Sequence, residues 1–514
     1  MFSMFGFVFS YLFSYGKNNQ FSRRKSTIEK NHFGNDTVSG NDIISAAEKS
    51  YRKALLIKRE LTDINSERFL PDLASTLTNL ALQQYARNDY DAAGQSYLEA
   101  LQIYRKLAQK NSHFYLKDIT RILDKLVLLH QSRSDFDAAR LGYEELLLLY
   151  RELALADPLT YLSDVAVTLN KLSGMRQACN DFDAAGQGYL EALSIYRELV
   201  RIDRKRYLPE VAVTLFNQSN LLEARNDYDA AVRSCVVALQ IRRSLAHTNP
   251  QAYLSEVALT LYKLSSLQQA CNYYDDAERS CLDALEIRRN LARTNPHAYL
   301  PEVAVTLNKL SSLQQARNDF DAAGQGYLES LSIYRELARS NPSTYLPEVV
   351  VTRIKQADLL QALNDFDGAV QCYEEALSIY RELARSNPST YLPEVARMLN
   401  ILAIHNKSRD KSGIARQKYE ESLSIYRELA RTHPLTYLPE VAVILVSLGR
   451  YYLQSVSADR QKSFDCLTEA LNILKSLEDE LPYTKKYQEM AMEVFNNTRS
   501  SCMATSTHHN GSKP

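Results

Sequence analysis

Apolar and small residues recur along this chain at helical spacing, and the whole pattern then repeats itself. In one copy, Leu307, Leu310 and Ser311 lie on one stripe of a predicted helix. A second predicted helix follows, and its inner stripe holds Ala323, Tyr327, Ser330, Leu331 and Tyr334. The segment Arg317-Asn318-Asp319 between the stripes is typical of a tight turn and a helix cap. Each copy therefore predicts an antiparallel hairpin of two helices, which we call helix A and helix B.

An aromatic–leucine pair marks the start of every copy, and successive pairs lie 46 residues apart. The nine copies begin at Phe69, Tyr115, Tyr161, Tyr207, Tyr253, Tyr299, Tyr345, Tyr391 and Tyr437. A single hairpin cannot bury its apolar side alone, whereas stacked neighbours cover one another. The repeat therefore predicts an all-α solenoid rather than one globular core.

The repeats and their flanks divide the chain. We predict an apolar N-terminal segment (1–15), a flexible linker (16–41), an N-terminal capping helix (42–68), nine repeats (69–482), a C-terminal capping helix (483–499) and a disordered tail (500–514). The apolar segment is short for a bilayer span, which needs about 17–25 residues. It is interpreted either as a weak membrane anchor or as a leader without a membrane role.

Charge and cysteine content exclude several classes of protein. The 61 basic and 61 acidic residues cancel, which argues against a general binder of nucleic acid or acidic lipid. None of the seven cysteines forms a CxxC pair, so we expect reduced thiols in a cytoplasmic protein and no metal site. Cys235 and Cys281 replace a recurring tyrosine and are expected to be buried. No cofactor is indicated.

The recurring positions resemble the tetratricopeptide repeat. The matching residues are Leu307, Leu310, Ser311, Ala323, Tyr327 and Ser330, and the resemblance covers roughly residues 43–497. The long period is similar to the kinesin-light-chain-like variety, which carries segments like Thr306–Ser311. Gln314 and Arg353 depart from the usual large apolar residues. The resemblance implies a right-handed superhelical solenoid whose concave groove is lined mainly by the A helices.

The side of helix A opposite its packing stripe is the candidate binding surface. Its predicted residues are Asn170, Gln177, Phe216, Asn220, Glu223, Tyr262, Gln269, Asn308, Ser312, Gln315, Asp358 and Gln361. Amides donate to and accept from a peptide backbone, and aromatic rings form side-chain pockets. This mixture fits an extended or helical peptide. The alternative is that the amides simply solvate an exposed helix. The nearby Lys171, Lys263, Lys309 and Lys355 are interpreted as ordinary solvated charges.

An arginine recurs every 46 residues at one position of helix B, beginning in the predicted capping helix. The ladder comprises Arg59, Arg105, Arg151, Arg197, Arg243, Arg289, Arg335, Arg381 and Arg427. It is either a basic rail for an acidic partner or a set of ion pairs, for example with the glutamate of the next Tyr-Leu-Pro-Glu segment. Repeats four and five double the charge, so Arg242, Arg243, Arg288 and Arg289 are candidates for an anionic contact.

No catalytic motif emerges. Gly324-Gln325-Gly326 lies inside helix B and lacks the strand and third glycine of a phosphate loop. The sequence therefore favours a non-catalytic scaffold or adaptor that holds a peptide of another protein, whose identity and oligomeric state stay open. The alternatives are a structural, self-assembling repeat protein and a membrane-tethered adaptor that uses residues 1–15.

Overall fold

The computed structural model describes residues 40–109, 112–409, 411–454, 459–478, 480–481 and 484–496. Every regular element in these ranges is a helix, so the all-α prediction is confirmed. None of the helices in these ranges is long and apolar enough to cross a membrane. The apolar segment 1–15, the tail 500–514 and nearly all of the linker lie outside the described residues.

Two compact units are present, Met1–Cys179 and Asn180–Pro514. The first contains the capping helix Gly40–Ile64, helices A and B of repeat one (Ser66–Ala86, Tyr90–Ala108) and repeat two (Ser112–Ser132, Phe136–Ala156), and helix A of repeat three (Pro158–Ala178). Within this unit each helix packs against the next along the chain. Glu48 of the capping helix is buried and accepts hydrogen bonds from Arg52 and from Arg87 of repeat one, which fastens the cap to the first hairpin.

The second unit continues the same pattern with helix B of repeat three and six further repeats. Its helices are Phe182–Ile202, Arg204–Ala224, Tyr228–Thr248, Pro250–Ala270, Tyr274–Thr294, Pro296–Ala316, Phe320–Ser340, Pro342–Ala362, Phe366–Ser386, Pro388–Ser408, Ser412–Thr432, Pro434–Gln454 and Arg460–Ser476. Neighbouring helices again pack in sequence. Residues 485–496 form another helix, and its Ala491 and Val494 join the core of repeat nine.

The turn inside most of the hairpins has the predicted chemistry. Asn318 adopts a left-handed conformation with φ 64°, which asparagine tolerates better than most residues. Asp319 then caps helix B, because its Oδ1 accepts from the backbone N–H of Ala322 at 3.2 Å. The corresponding left-handed residues are Asn88, Ser134, Asn180, Asn226, Asn272 and Asn364. The tight turn and cap are thus confirmed.

Helix A begins earlier than its sequence suggested. In repeat six, Pro301 and Glu302 by themselves predict a helix start near Leu300-Pro301. This prediction is wrong, because helix A begins at Pro296 and Pro301 lies inside it. Asn295 caps the helix by accepting from the N–H of Ala298, and Pro296 occupies the first turn, where its missing N–H costs nothing. The Asn-Pro pair that ends one helix B therefore also starts the next helix A.

Small residues let the two helices of a hairpin approach closely. Ser311 of helix A and Ala323 of helix B are fully buried between Leu307, Leu310 and Tyr327. Cys235 and Cys281 are also buried, as predicted, and burial raises the pKa of each thiol to about 12. In each hairpin the core thus combines small buried residues with larger leucines and tyrosines.

Candidate binding groove on the A helices

Successive A helices of the second unit touch through polar side chains on one common side. Lys263 forms an ion pair with Glu223 of the preceding repeat, and Lys309 donates in the same way to Gln269. One repeat further on, Lys355 Nζ lies 3.4 Å from Ser312 Oγ. These contacts join residues about 40 positions apart, one repeat to the next. We call the surface that carries these residues the A face.

Most of the predicted binding residues lie on this face with part of the side chain open to solvent. In the second unit, Phe216, Asn220, Glu223, Tyr262, Gln269, Ser312, Gln315 and Gln361 are half-buried, and Asp358 is exposed. Asn170 and Gln177 are half-buried on helix A of repeat three, in the first unit. The structure therefore places nine of the second unit's candidates on neighbouring A helices.

Asn308 is the exception, and its prediction as an accessible residue is wrong. Its side chain is only 6% exposed, and Nδ2 donates a 2.8 Å hydrogen bond to Oγ1 of Thr352 in the next helix A. The side chain of Asn308 points into the seam between two A helices rather than across the open face. A seam of this kind arises between repeats, so the pattern within one helix could not reveal it.

The A face is held in place by tyrosines from helix B. Tyr327 OH lies 3.0 Å from Ser312 Oγ and donates to Gln315 Oε1 at 3.3 Å. One repeat later, Tyr373 donates to Asp358 Oδ1 at 2.8 Å and accepts from Gln361 Nε2 at 3.2 Å. These bonds restrict the rotamers of Ser312, Gln315, Asp358 and Gln361 on the A face.

Phe216 and Tyr262 supply the aromatic part of the face, and each has a cation behind its ring. The guanidinium of Arg242 lies 4.8 Å from the centroid of Phe216, and that of Arg288 lies 5.0 Å from the centroid of Tyr262. Attraction between the cation and the ring face orients both rings. The aromatic positions of repeats four and five are therefore rigid platforms.

Arg242 and Arg288 themselves are not available to an external anion, which corrects the predicted anionic contact. Both are about 4% exposed. Arg242 pairs with Glu256 at 3.0 Å, and Arg288 pairs with Glu302 at 3.1 Å. Each also donates to a threonine of the next helix A, Thr260 at 2.6 Å and Thr306 at 2.5 Å. A buried cation needs such partners, and here the fold supplies them internally.

Most arginines of the helix B ladder also form internal ion pairs, but with different partners from those suggested. Arg243 pairs with Asp283 and Arg289 with Glu329, each on the next helix B and 40 residues ahead. The same pairing joins Arg59 to Glu99, Arg105 to Glu145, Arg335 to Glu375, Arg381 to Glu421 and Arg427 to Glu469. Arg243 and Arg289 are about half exposed, although their charge is already matched.

The lysines that the sequence suggested were simply solvated belong to the A face. Lys263, Lys309 and Lys355 are half-buried and bridge to the preceding helix A. Burial lowers the pKa of Lys309 and of Lys355. A usable signal did exist, because these lysines recur one residue after the predicted groove position in three successive repeats.

Carboxylates near the start of several A helices are half-buried. Burial raises the pKa of Glu210, and it raises that of Glu348 against the opposing charge of Lys355. The A face thus combines fixed amides, aromatic rings and charges of both signs.

This arrangement of paired helices defines an all-α array of tetratricopeptide-like repeats, as the sequence predicted. The family described as tetratricopeptide repeat matches residues 357–385, which run from helix A into helix B of repeat seven. A comparison with curated proteins found no match.

Several solved structures are similar to the chain. The crystal structure of BtubC (BKLC) from P. vanneervenii is 22% identical, with 48% of this chain and 92% of that chain covered and a TM-score of 0.37. A putative kinesin light chain with nearly identical TPR-like repeats from Podospora anserina is 16% identical, with coverages of 44% and 98% and a TM-score of 0.35. The STAND protein PH0952 from Pyrococcus horikoshii, with a tetratricopeptide repeat sensor, is 12% identical, with coverages of 77% and 55% and a TM-score of 0.45.

Proposed function

We propose that this protein is a non-catalytic scaffold that holds a peptide segment of another protein on the A face. The observation that carries the proposal is the pre-ordered polar face itself, in which Tyr327 and Tyr373 fix the amide and carboxylate groups of repeats six and seven. Groups held in one rotamer lose little entropy when a ligand binds. A solvated helix surface would need no such bonds.

The chemistry of the face suits a peptide backbone. Gln315 retains its two N–H donors beyond its bond to Tyr327, and Gln361, whose Nε2 bonds both Tyr373 and His405, retains its carbonyl acceptor. Phe216 of repeat four and Tyr262 of repeat five provide flat apolar surfaces for a partner's side chain. Affinity then comes from backbone hydrogen bonds, and selectivity comes from the aromatic platforms and the nearby charges.

Blocking the face with a side chain that the fold already tolerates tests this proposal. Ser312→Arg copies Arg450, which occupies the same position in repeat nine. The matched control is Gln325→Arg on helix B of the same repeat, which copies Arg279 of repeat five. Both variants add one arginine to repeat six, but on different faces.

The full-length chain and both variants would be used to capture partners, which mass spectrometry identifies, and affinity for the recovered segment would be measured by calorimetry. We expect Ser312→Arg to weaken binding by at least about tenfold, or 1.4 kcal/mol. Gln325→Arg should leave it unchanged, and both melting temperatures should stay near that of the parent. If the affinity for the partner were unchanged by Ser312→Arg but lost with Gln325→Arg, the A face would not be the binding surface.

A further inference from the structure

Helix B of repeat two carries a line of exposed leucines. Leu141, Leu148 and Leu155 are 58%, 67% and 87% exposed. Their seven-residue spacing places them on one side of the helix. We call these three residues the outer leucine stripe. Exposing large apolar side chains to water is unfavourable, so an aligned set of them indicates a surface that another apolar group covers.

The other repeats show that the hairpin does not need leucine at these positions. In repeat six the equivalent residues are Gln325, Ser332 and Arg339. In repeat five they are Arg279, Glu286 and Arg293, and repeats one, three, four, seven and eight carry only glutamine, serine, histidine or arginine there. Repeat two has therefore exchanged three outward polar positions for leucine, which points to a contact specific to this repeat.

The size of the stripe favours a short segment over a second copy of the chain. Three partly exposed leucines offer a few hundred Å² of apolar surface at most. A stable protein–protein interface needs roughly 800 Å² from each partner. A short, strongly apolar peptide matches the smaller area.

Residues 2–13 of this chain have that composition. They read FSMFGFVFSYLF, with five phenylalanines and no charge. The segment 16–39 that follows can extend to roughly 80 Å. The capping helix and helix B of repeat two belong to the same unit and are separated by four successive helix packings, or about 40 Å at most. The segment can therefore reach the stripe.

Charge also matches around the stripe. Asp137 and Glu152 lie one turn from Leu141 and Leu148 on the same side of the helix, and both are exposed. The residues after the apolar segment include Lys17, Arg23 and Arg24. Opposite charges beside an apolar contact favour the docked state.

We propose that residues 2–13 of this chain dock on the outer leucine stripe of repeat two. The contact buries the leucines and the phenylalanines together, and the basic residues that follow lie beside Asp137 and Glu152. The segment then occupies the outer surface of helix B and leaves the A face open for a partner.

The test uses the full-length chain with a photoreactive benzophenone side chain in place of Phe7. Irradiation should cross-link this residue to the range 136–159 of the same molecule, which a mixture of isotope-labelled and unlabelled chains distinguishes from a second copy. The triple variant Leu141→Gln, Leu148→Ser, Leu155→Arg copies repeat six and should lower the cross-link yield at least about tenfold. The control Leu328→Glu, which copies Glu374 and alters another exposed leucine, should leave the yield unchanged.

Three results would overturn the proposal. They are cross-links chiefly between labelled and unlabelled chains, a yield unchanged by the triple variant, and a cross-link to lipid but not to protein when phosphatidylcholine vesicles are added. If the triple variant misfolds, Leu155→Arg alone replaces it, because this side chain is almost fully exposed. That variant should still lower the yield by about threefold, and no change would count equally against docking.

Discussion

Asn308 of repeat six donates a 2.8 Å hydrogen bond through Nδ2 to Oγ1 of Thr352 in repeat seven. The bond crosses the seam between two A helices and is buried there. The hydroxyl group of Thr352 donates a 2.8 Å hydrogen bond to the backbone oxygen of Glu348. Asn308, which the sequence predicted to be a binding residue, therefore links two repeats, and its role is structural.

Removing this link should cost stability rather than affinity. We expect Asn308→Ala to lower the free energy of unfolding by about 1–3 kcal/mol, because a buried acceptor loses its donor. Denaturant unfolding followed by circular dichroism measures the change. Asn220→Ala, at a half-buried A-face position, serves as the control and should change stability by less. Equal stability of the two variants would contradict the structural role of Asn308.

Leu310 should be a core residue of repeat six. It is 6% exposed and packs in a cluster with Leu307 and Leu313. We expect Leu310→Ala to destabilise the stack by about 2–5 kcal/mol through lost contacts and a residual cavity. Leu328→Ala, at an exposed position of the same repeat, should cost about half a kcal/mol or less. A loss at Leu310 as small as that of the control would show that the site is not core.

The buried pair of Arg288 and Glu302 should respond differently to two substitutions. Arg288→Ala leaves the carboxylate without its cation, and we expect a loss of about 3–5 kcal/mol. Arg288→Tyr copies repeat six, where Tyr334 occupies the same position close to Glu348. Because the fold already accepts that combination, the tyrosine variant should lose much less stability. The denaturation midpoints of the two variants measure this difference. Equal losses of stability would contradict the expectation that tyrosine can replace the buried arginine.

Arg197 marks a gap in the arginine ladder of the second unit. The position 40 residues ahead is Val237, an exposed valine where other repeats carry an acid, and Arg197 makes no ion pair within the described ranges. Val237→Glu should form the missing pair and stabilise the protein by about 0–1 kcal/mol. Salt at 1 M should abolish the gain, because the pair is exposed. Val237→Gln, without charge, is the control; a gain of equal size there would argue against an ion pair.

Glu210 should make stability fall as the pH rises. Burial raises the pKa of its carboxyl in the folded protein above the ordinary value of 4.5. The folded state then binds the proton more tightly than the unfolded state. The contribution of Glu210 to stability is therefore greatest below pH 4.5 and is lost as the pH rises through the pKa of the folded state. Glu210→Gln should therefore be more stable than the parent at neutral pH, and the difference should shrink on acidification.

Thermal unfolding at pH 4 and pH 7.5 would measure this difference. Glu336→Gln removes the same charge from the exposed surface of helix B and controls for net charge. A difference between Glu210→Gln and the parent that grows towards low pH would show that the carboxyl is stabilised in its charged form instead.

The hairpins could be predicted because their signals are local. The turn at Asn318-Asp319 depends on a left-handed residue and a cap within a few positions, and the stripe through Leu307 and Leu310 depends on helical period alone. The start of helix A was misplaced because two signals compete. Pro296 follows a capping asparagine and begins the helix, whereas Pro301 lies inside it.

The sequence by itself thus determined that this chain forms all-α hairpins in a 46-residue repeat and which side of each helix A is polar. Tertiary structure alone decided how each polar residue is used. Asn308 and Arg288 became internal partners of Thr352 and Glu302, while Lys309 and Lys355 joined the A face. The reason is physical: helical period fixes a residue's direction within its own helix, but its burial and its hydrogen-bond partners depend on the helix that packs beside it.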